Sequence, residues 1–465
     1  MSETLLTLPE SYIEKMKSEL GNNFEKYLES LIQKPVRGLR VNTRKISVEE
    51  FEKLTDLKIE KLNFSVDGYL LNQDDKIGNT PEHLAGLFYL QEPSSMVPVV
   101  ASGIINEDRP LKVLDLCASP GGKTGQIASR ISKDSILFSN EIVKSRSEFL
   151  YSNVERLGFE NVVVLNEEPK NLLKFEGYFD YVFVDAPCSG EGMFRKNPET
   201  IGEWSLQNVE ICKNRQMEIL DIAEKLVCSG GKLIYSTCTF SKDEDENIVD
   251  WFVENKNFEI VDVSDEIKSV TVPSDAKSKN AEFARKFYPF SGDGEGQFVC
   301  VFKNLDDTRN TTLYEKKHFK TINLVGHNGF GVFKEFMQEY MTENYTYKNI
   351  YEVGNNLFLT PKLFDKKIQT ALDDLKFLTL GVKLGTIEKH RFEPNHNIFM
   401  ALSEKFKEKI ELTDEELKKY LHGEELGKDG VKKGYSVVTK NGYALGGTKV
   451  TNSRLKNLYP KGLRI

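Results

Sequence analysis

Short apolar runs alternate with amphipathic stretches across residues 111–253. The apolar runs are rich in Val, Ile, Leu and Phe, as buried strands are, and the stretches between them repeat apolar residues at helical spacing. Strands alternating with helices form βαβ units, so the pattern predicts an α/β fold with a mostly parallel sheet. The predicted strands are 112–117, 135–140, 161–165, 179–185 and 231–237. The predicted helices lie near 124–131, 144–157, 206–227 and 243–253.

The pattern changes on both sides of this region. Near the start, an amphipathic helix around 12–32 precedes a strand-like run at 38–42, which indicates a small α+β unit. Farther on, the runs 258–263 and 297–302 predict an antiparallel pair at the sheet edge. In the last part, glycines separate short β-like pieces, as in a small β-barrel. The predicted domains are an N-terminal α+β unit at 1–85, an α/β domain at 86–305, an intermediate domain at 306–380 and a barrel at 381–465.

The length and composition agree with several packed domains. The chain has 465 residues, of which 39% are hydrophobic and 29% charged, typical of a globular protein. No apolar run approaches the roughly 18 residues that cross a bilayer, and residues 1–16 lack the layout of a signal peptide. The six cysteines form no C-x-x-C pair and the histidines show no ligand spacing. We therefore expect a cytoplasmic monomer without membrane segment, disulfide framework or metal.

The net charge of −8 argues at first against a nucleic-acid partner. The charge is, however, unevenly distributed. Residues 427–465 contain nine Lys or Arg and one acid, a net +8, so the preceding residues sum to −16. A basic segment of this kind attracts phosphates, which predicts that the end of the chain binds RNA or DNA.

The first candidate motif follows the first predicted strand. Residues 115–124 read DLCASPGGKT, a Gly-Pro turn that opens a helix and points its backbone N–H groups at a ligand. A phosphate-binding P-loop is excluded, because Cys117 occupies the position of its first glycine. The alternative is the nucleoside-binding turn of a Rossmann-like fold, which requires an acid about twenty residues later for the ribose hydroxyls. Glu141 follows the second predicted strand at that distance from Gly121.

Two further motifs place thiols after strands. Residues 181–192 (YVFVDAPCSGEG) contain Asp185 and Cys188, and residues 233–239 (LIYSTCT) contain Cys238. Ligands of open α/β sheets bind at the carboxyl ends of the strands, so these three side chains should converge beside the nucleoside turn. Spacing alone leaves open which cysteine is a nucleophile, because both follow strands at the same edge.

These motifs closely resemble the RNA cytosine-5 methyltransferases of the Sun (Fmu) family. The likeness rests on DLCASPGGKT, on DAPCSGEGMFRKNPE at 185–199 and on STCTFSKDEDEN at 236–247. Flanking phrases at 89–95 and 289–298, and the end of the chain at 456–464, resemble the bacterial RsmF (YebU) branch, which modifies small-subunit ribosomal RNA. The resemblance implies a Rossmann-like class I methyltransferase domain, an N-terminal α+β unit and a C-terminal PUA-like β-barrel that binds RNA.

The resemblance also assigns roles in the reaction. It makes Cys238 the nucleophile, Cys188 the cysteine that helps release the product, and Asp185 the acid at N3 of the base. S-adenosyl-L-methionine would be the cofactor, with Glu141 on its ribose, Asp185 near its sulfonium and, after the third strand, Glu167 preferred to Glu168 near the adenine. The loop around its methionine part would be Cys117, Ala118, Ser119, Pro120, Gly121, Gly122 and Lys123.

The expected partner is 16S ribosomal RNA or the small ribosomal subunit. The candidate RNA-binding residues are Arg40, Arg195, Lys196, Lys456, Lys461 and Arg464. Arg195 and Lys196 are placed to meet phosphate or, alternatively, to neutralise a carboxylate. The acid run at 243–246 opens a helix, which favours a solvated helix start stabilised by the helix dipole.

Three other functions remain as alternatives. A related methyltransferase could act on tRNA, and a catalytically idle RNA-binding or ribosome assembly factor could share the fold. An amino-group methyltransferase would need an Asp/Asn-Pro-Pro-aromatic motif, but residues 186–188 of this chain read APC.

Overall fold

The computed structural model describes residues 8–72, 77–308, 311 and 313–465, so residues 1–7 and 73–76 of the predicted N-terminal unit lie outside the described part. A ten-stranded sheet forms its centre. Five parallel strands were predicted, and all five are present. They are Lys112–Asp115, Ile136–Asn140, Val162–Leu165, Phe179–Asp185 and Val227–Thr237.

The order of these strands creates a ligand crevice. The first strand lies between the second and the fourth, so the direction of winding reverses between Lys112–Asp115 and Phe179–Asp185. Open α/β sheets bind their ligands at such a switch point, outside the carboxyl ends of the strands. The topology thus directs attention to the loops that follow Asp115 and Asp185.

The four predicted helices are also confirmed. They are Gly122–Arg130, Lys144–Leu157, Leu206–Leu226 and Glu246–Asn255. The second ends where Gly158 adopts a left-handed φ of 73°, a conformation that favours glycine. The short helices Val97–Ala101, Thr200–Glu203 and Asp265–Val270 complete this region. Within the described residues, none of the helices is both long and apolar enough to cross a membrane.

Antiparallel strands extend the central sheet at both edges. Gln297–Asn304 pairs with the last parallel strand and with Phe258–Ile260, which confirms the predicted edge pairing. Arg285–Phe287 and Val272–Pro273 continue that edge. At the opposite edge, Phe377–Leu380 pairs antiparallel with Val162–Leu165, although it lies in the predicted intermediate domain. The central sheet therefore includes a strand from the C-terminal part of the chain.

The N-terminal unit consists of helices and a four-stranded antiparallel sheet. The helix expected around 12–32 is two helices, because the chain bends at Gly21, whose φ is 51°. The sheet extends beyond the predicted boundary at residue 85, since Phe88–Leu90 is one of its strands. The helices are Glu10–Leu20, Phe24–Leu31, Val48–Leu54 and Pro81–Leu84, and the other strands are Gly38–Val41, Ile59–Lys61 and Gly68–Leu71.

The next sheet crosses the predicted boundary between residues 380 and 381. Val382–Glu388 pairs with Asn356–Leu359 on the other side of that boundary, and a boundary there divides one hydrogen-bonded sheet. The remaining strands are Asn323–Leu324, Ile350–Val353 and Arg391–Pro394, with helices His327–Tyr340 and Lys366–Leu372.

The last sheet contains most of the basic end of the chain. Its strands are Lys409–Glu411, Leu426–Gly427, Gly434–Lys440, Tyr443–Thr451 and Arg454–Asn457, with helices His396–Ala401 and Asp414–His422. Val438, Leu445 and Leu455 share a hydrophobic core with Leu39 and Phe51 of the N-terminal unit. The basic end is therefore a folded domain with its own share of the core, and its removal would expose apolar surface.

Candidate active site

Four parallel strands end at one edge of the sheet and bring the predicted site residues together. Asp115 and Asp185 close adjacent strands, Glu141 directly follows a third, and Cys238 follows Val227–Thr237. Cys188 lies three residues beyond Asp185. The structure thus places side chains from distant parts of the sequence around the crevice that the strand order creates.

The loop after Asp115 leads directly into a helix. Gly121 has a φ of 109°, and a Cβ added there would lie 3.1 Å from a Leu150 methyl, so the turn requires glycine. Gly122 is similarly close to the ring of Tyr89, at 3.2 Å. The N–H groups of the first helical turn have no intrahelical partners, so they are available to a ligand. Burial raises the pKa of the Cys117 thiol, which keeps that cysteine neutral.

Acidic side chains dominate the crevice. Asp115 is buried; it accepts a hydrogen bond from Thr124 Oγ1 at 2.7 Å, and its Oδ1 has no partner within the described residues. Glu141 is also buried, and its Oε1 accepts a hydrogen bond from Val143 N at 2.9 Å. Burial, with the charges of Asp185 and Glu141, raises the pKa of Asp115 to about 7. These carboxyl groups can accept hydrogen bonds from hydroxyl groups and attract positive charge. They therefore fit a cationic ligand that carries hydroxyl groups, such as S-adenosylmethionine.

Asp185 is held in one orientation. Lys123 Nζ donates to its Oδ2 at 2.8 Å, and Ser236 Oγ donates to its Oδ1 at 2.7 Å. Gln297 Nε2 makes a longer contact with the same Oδ1, at 3.3 Å. Lys123 thus forms an ion pair with the carboxylate of Asp185.

The two cysteines are in direct contact. Cys188 Sγ and Cys238 Sγ lie 3.2 Å apart, and both residues are partly exposed. The hydrogen bond to Cys238, together with burial, raises the pKa of Cys188 well above its ordinary value. The two sulfurs share one hydrogen bond, and the raised pKa favours the neutral thiol at Cys188. Two sulfurs at this distance can both contact one planar ring of a bound substrate.

A buried carboxylate joins the two cysteine loops. Glu244 accepts hydrogen bonds from the backbone N–H of Ser189 at 2.9 Å and from its hydroxyl at 2.5 Å. Gln216 Nε2 donates to the same carboxylate at 3.0 Å, and Ser189 Oγ contacts Thr239 Oγ1 at 2.9 Å. Ser189 follows Cys188 and Thr239 follows Cys238, so Glu244 anchors the Cys188 loop, and Ser189 connects that loop to the Cys238 loop.

The acid run at 243–246 is thus not a solvated helix start, and that prediction was wrong. Glu244 and Asp245 are fully buried, and Glu246 is nearly so. Lys286 Nζ lies 3.1 Å from Asp245 and 2.8 Å from Glu246, and Thr237 Oγ1 donates to Asp245 at 2.6 Å. A sequence window cannot reveal this burial, because the covering strand Arg285–Phe287 comes forty residues later.

Replacing Glu244 with glutamine is expected to lower the turnover number of methyl transfer by about 10²-fold, because small displacements of reacting groups carry such costs. The amide cannot accept from Ser189 N–H, Ser189 Oγ–H and Gln216 together. Binding of the methyl donor should change little, whereas the buried donor left without an acceptor should lower the free energy of unfolding by about 1–3 kcal/mol, so turnover is compared on folded protein. Asp243→Asn on the same run is the matched control, and equal losses in both variants would contradict a positioning role.

Replacing Asp115 with asparagine is expected to flatten the pH dependence of stability. In wild type the unfolded chain ionises Asp115 near its ordinary pKa while the folded chain holds it protonated to about 7. The free energy of unfolding therefore falls as pH rises, by about 2–3 kcal/mol between pH 5 and 8 from this group. Urea titrations at both pH values measure the difference. Exposed Asp108→Asn should leave the wild-type fall intact, and an unchanged fall in Asp115→Asn would contradict the assignment.

The structure does not support Glu167 as the adenine contact. Its Oε1 accepts a hydrogen bond from Lys376 N at 2.7 Å and its Oε2 accepts one from Asn171 Nδ2 at 2.6 Å. Both carboxylate oxygens are thus occupied, and one of them anchors the residue that precedes the edge strand Phe377–Leu380. Glu168 is exposed and pairs with Lys170 at 2.5 Å.

Two of the predicted RNA-binding residues are buried, and their assignment is corrected. Arg40 is 0% exposed, and it donates to Gln91 Oε1 at 2.9 Å and to Ser129 Oγ at 3.0 Å. Arg195 Nε donates to Glu295 Oε2 at 2.7 Å, so this residue neutralises a carboxylate, the alternative that its position left open. Neither guanidinium is placed to reach a nucleic acid. The other four candidates are exposed: Lys196, Lys456, Lys461 and Arg464.

Family models match along most of the chain. Residues 104–303 match 16S rRNA methyltransferase RsmB/F, and residues 8–93 match the N-terminal domain of 16S rRNA methyltransferase RsmF. Residues 335–402 match the RsmF first C-terminal domain, and residues 407–465 match the methyltransferase RsmF PUA domain.

Individual proteins agree with these matches. Ribosomal RNA small subunit methyltransferase F of Escherichia coli O157:H7 is 30% identical over 100% of this chain and 98% of its own length. The protein of the same name from Shewanella piezotolerans is 31% identical over 98% and 97%. A solved methyltransferase homologue from Pyrococcus horikoshii is 27% identical, covers 64% of this chain and 96% of its own, and superposes with a TM-score of 0.57. NSun6 from the same organism, solved with SFG, shares the fold at 20% identity, a TM-score of 0.57 and coverage of 65% and 100%. The chain therefore belongs to the RsmF family and is an S-adenosylmethionine-dependent ribosomal RNA methyltransferase of the RsmB/F type.

Proposed function

We propose that this enzyme methylates carbon 5 of cytosine in 16S ribosomal RNA through a covalent adduct between Cys238 and carbon 6 of the base. The observation that supports this chemistry is the 3.2 Å contact between Cys188 and Cys238 beside Asp185. Methylation of an amino group needs no thiol, whereas methylation of carbon 5 needs a nucleophile to activate the ring.

The first step is activation of the base. Carbon 5 of cytosine is a poor nucleophile, so Cys238 adds as a thiolate to carbon 6 and forms a carbon–sulfur bond. The ring electrons move towards N3, where Asp185 and its partner Lys123 supply or share the proton. The result is an enamine whose carbon 5 is nucleophilic. S-adenosylmethionine, when bound, supplies the electrophilic methyl group for that carbon.

The second step is release of the product. The proton on carbon 5 passes to water, its electron pair restores the ring double bond as the carbon 6–sulfur bond breaks, and the proton on N3 returns to the Asp185–Lys123 pair. Cys188 keeps its proton at neutral pH and lies next to Cys238, so its thiol can hydrogen-bond to the departing sulfur. This contact supports a role for Cys188 in product release.

The target cytosine must reach both the thiol and the methyl donor. A stacked base exposes neither face to a thiolate, so the substrate is a base that is already unpaired or that leaves its stack. The crevice between the loops after Asp115 and Asp185 supplies the place for such a base.

The test is nucleoside analysis after incubating the purified chain with labelled methyl donor and, in separate reactions, naked 16S rRNA, small ribosomal subunits or tRNA. Label in 5-methylcytidine supports the proposal. Label in another nucleoside would contradict the chemistry, and label only in tRNA would contradict the substrate. No label in any RNA would favour the idle assembly factor.

A further inference from the structure

The lysines of the basic C-terminal domain fall into two groups. Lys428 lies 2.8 Å from Glu416 and Lys440 lies 2.6 Å from Asp414, and Lys432 forms an ion pair with Glu408. The acids at 408–416 thus neutralise part of the charge that the sequence places at 427–465. These paired lysines have little attraction left for a polyanion.

Lys449 and Lys456 belong to the other group. They are directly opposite each other on adjacent strands, and Tyr435 is directly opposite Lys449 on the next strand. The three side chains therefore form a row on one face of the sheet. Lys449 Nζ lies 4.8 Å from the centre of the Tyr435 ring, and neither lysine has an ion-pair partner among the residues that the structure describes.

This arrangement is unfavourable for the isolated protein. Like charges directly opposite on neighbouring strands destabilise a sheet. The described acids of the domain pair with Lys428, Lys432 and Lys440 and do not compensate these two charges. A phosphate chain would remove the repulsion by lying across the two ammonium groups. The ring of Tyr435 is partly buried against Phe336 and Tyr340 with the Lys449 ammonium over it, so it holds that ammonium in place on the sheet.

We propose that Tyr435, Lys449 and Lys456 form the surface with which the C-terminal domain holds the substrate RNA. That the bound RNA is 16S ribosomal RNA rests on the proposed function. The ring of Tyr340 packs against Tyr435 at 5.3 Å, so the row continues to the helix His327–Tyr340 of the preceding domain.

The test compares two double variants of the full chain with equal change of charge. Lys449→Gln with Lys456→Gln removes the unpaired lysines, and Lys432→Gln with Lys440→Gln removes paired ones. Affinity for a 16S rRNA fragment is measured by titration at several salt concentrations. We expect the first variant to bind about tenfold more weakly or worse and to flatten the slope of log affinity against log salt by about 1.5, because each phosphate contact contributes roughly 0.7–0.9.

The control variant should bind within about twofold of wild type, as expected for lysines already engaged in surface ion pairs. Equal losses in both variants would overturn the proposal, because general charge would then explain them. Unchanged affinity in the first variant would also overturn it. Binding is measured without turnover. If the wild type transferred no methyl group to RNA but RNA binding still weakened in the Lys449/Lys456 variant, the proposed reaction would be contradicted and the proposed surface would stand.

Discussion

Replacing Cys238 with alanine is expected to abolish methyl transfer, with a loss of at least about 10³-fold, as removal of a catalytic nucleophile produces. Without the thiolate of Cys238, carbon 6 is not attacked and carbon 5 is not activated. RNA containing 5-fluorocytidine at the target site gives a direct readout. Fluorine cannot leave carbon 5 as a proton does, so wild type with methyl donor should form a persistent adduct that denaturing gels resolve.

The Cys188→Ala variant should show the opposite behaviour on ordinary RNA. Its nucleophile is intact, so the adduct forms, but the hydrogen-bond donor beside the departing sulfur is missing. Adduct should therefore accumulate without fluorine, and turnover should fall more than the rate of adduct formation.

Cys228→Ala is the matched control, because Cys228 lies near the opposite end of the strand that leads to Cys238. It should retain wild-type turnover. An adduct that survives in Cys238→Ala and disappears in Cys188→Ala would reverse the two roles. Normal 5-methylcytidine formation in both variants would contradict the covalent mechanism.

Replacing Lys286 with methionine is expected to destabilise the protein by about 3–5 kcal/mol, the cost of leaving buried charges without their partner. Lys286 is 3% exposed and lies between Asp245 and Glu246, and its Nζ also donates to Phe240 O at 2.8 Å. Methionine fills a similar volume, so the loss reports the charge and not a cavity. Urea unfolding at pH 7 measures it.

Lys303→Met provides the comparison. Lys303 is on the neighbouring strand and pairs with Glu259 at 3.9 Å, but both side chains are about half exposed to solvent. Its loss should cost less than about 1 kcal/mol. A small effect in Lys286→Met would show that the two carboxyls are protonated in the fold and need no counter-charge.

Much of the site could be predicted because strand ends are visible in the sequence. The apolar runs before Asp115, Asp185 and Cys238 end where polar residues begin, and parallel strands align their carboxyl ends at one edge. Glu141 follows from the same reasoning with the distance that a ribose-binding acid keeps from its glycine turn. Which cysteine attacks did not follow from spacing and came from the family resemblance.

The errors have a common physical origin. Arg40 lies in a strand and Arg195 in a turn, and the local sequence favours exposure for arginine at both positions. Their burial depends on partners 51 and 100 residues away, Gln91 and Glu295. The structural role of Glu167 could not be recognised either, because its hydrogen-bond partner Lys376 lies 209 residues later.

The sequence by itself determined the parallel sheet, the loop that opens the first helix of the sheet, the acids and thiols at the strand ends, and a basic C-terminal end. Those features depend on periodicity and on residue types within short windows, where each residue interacts mainly with its neighbours. Only the tertiary structure decided which charges remain available. Acids at 408–416 neutralise Lys428, Lys432 and Lys440 but not Lys449 or Lys456. The reason is that charges interact through space, and the chain brings its ions together only when it folds.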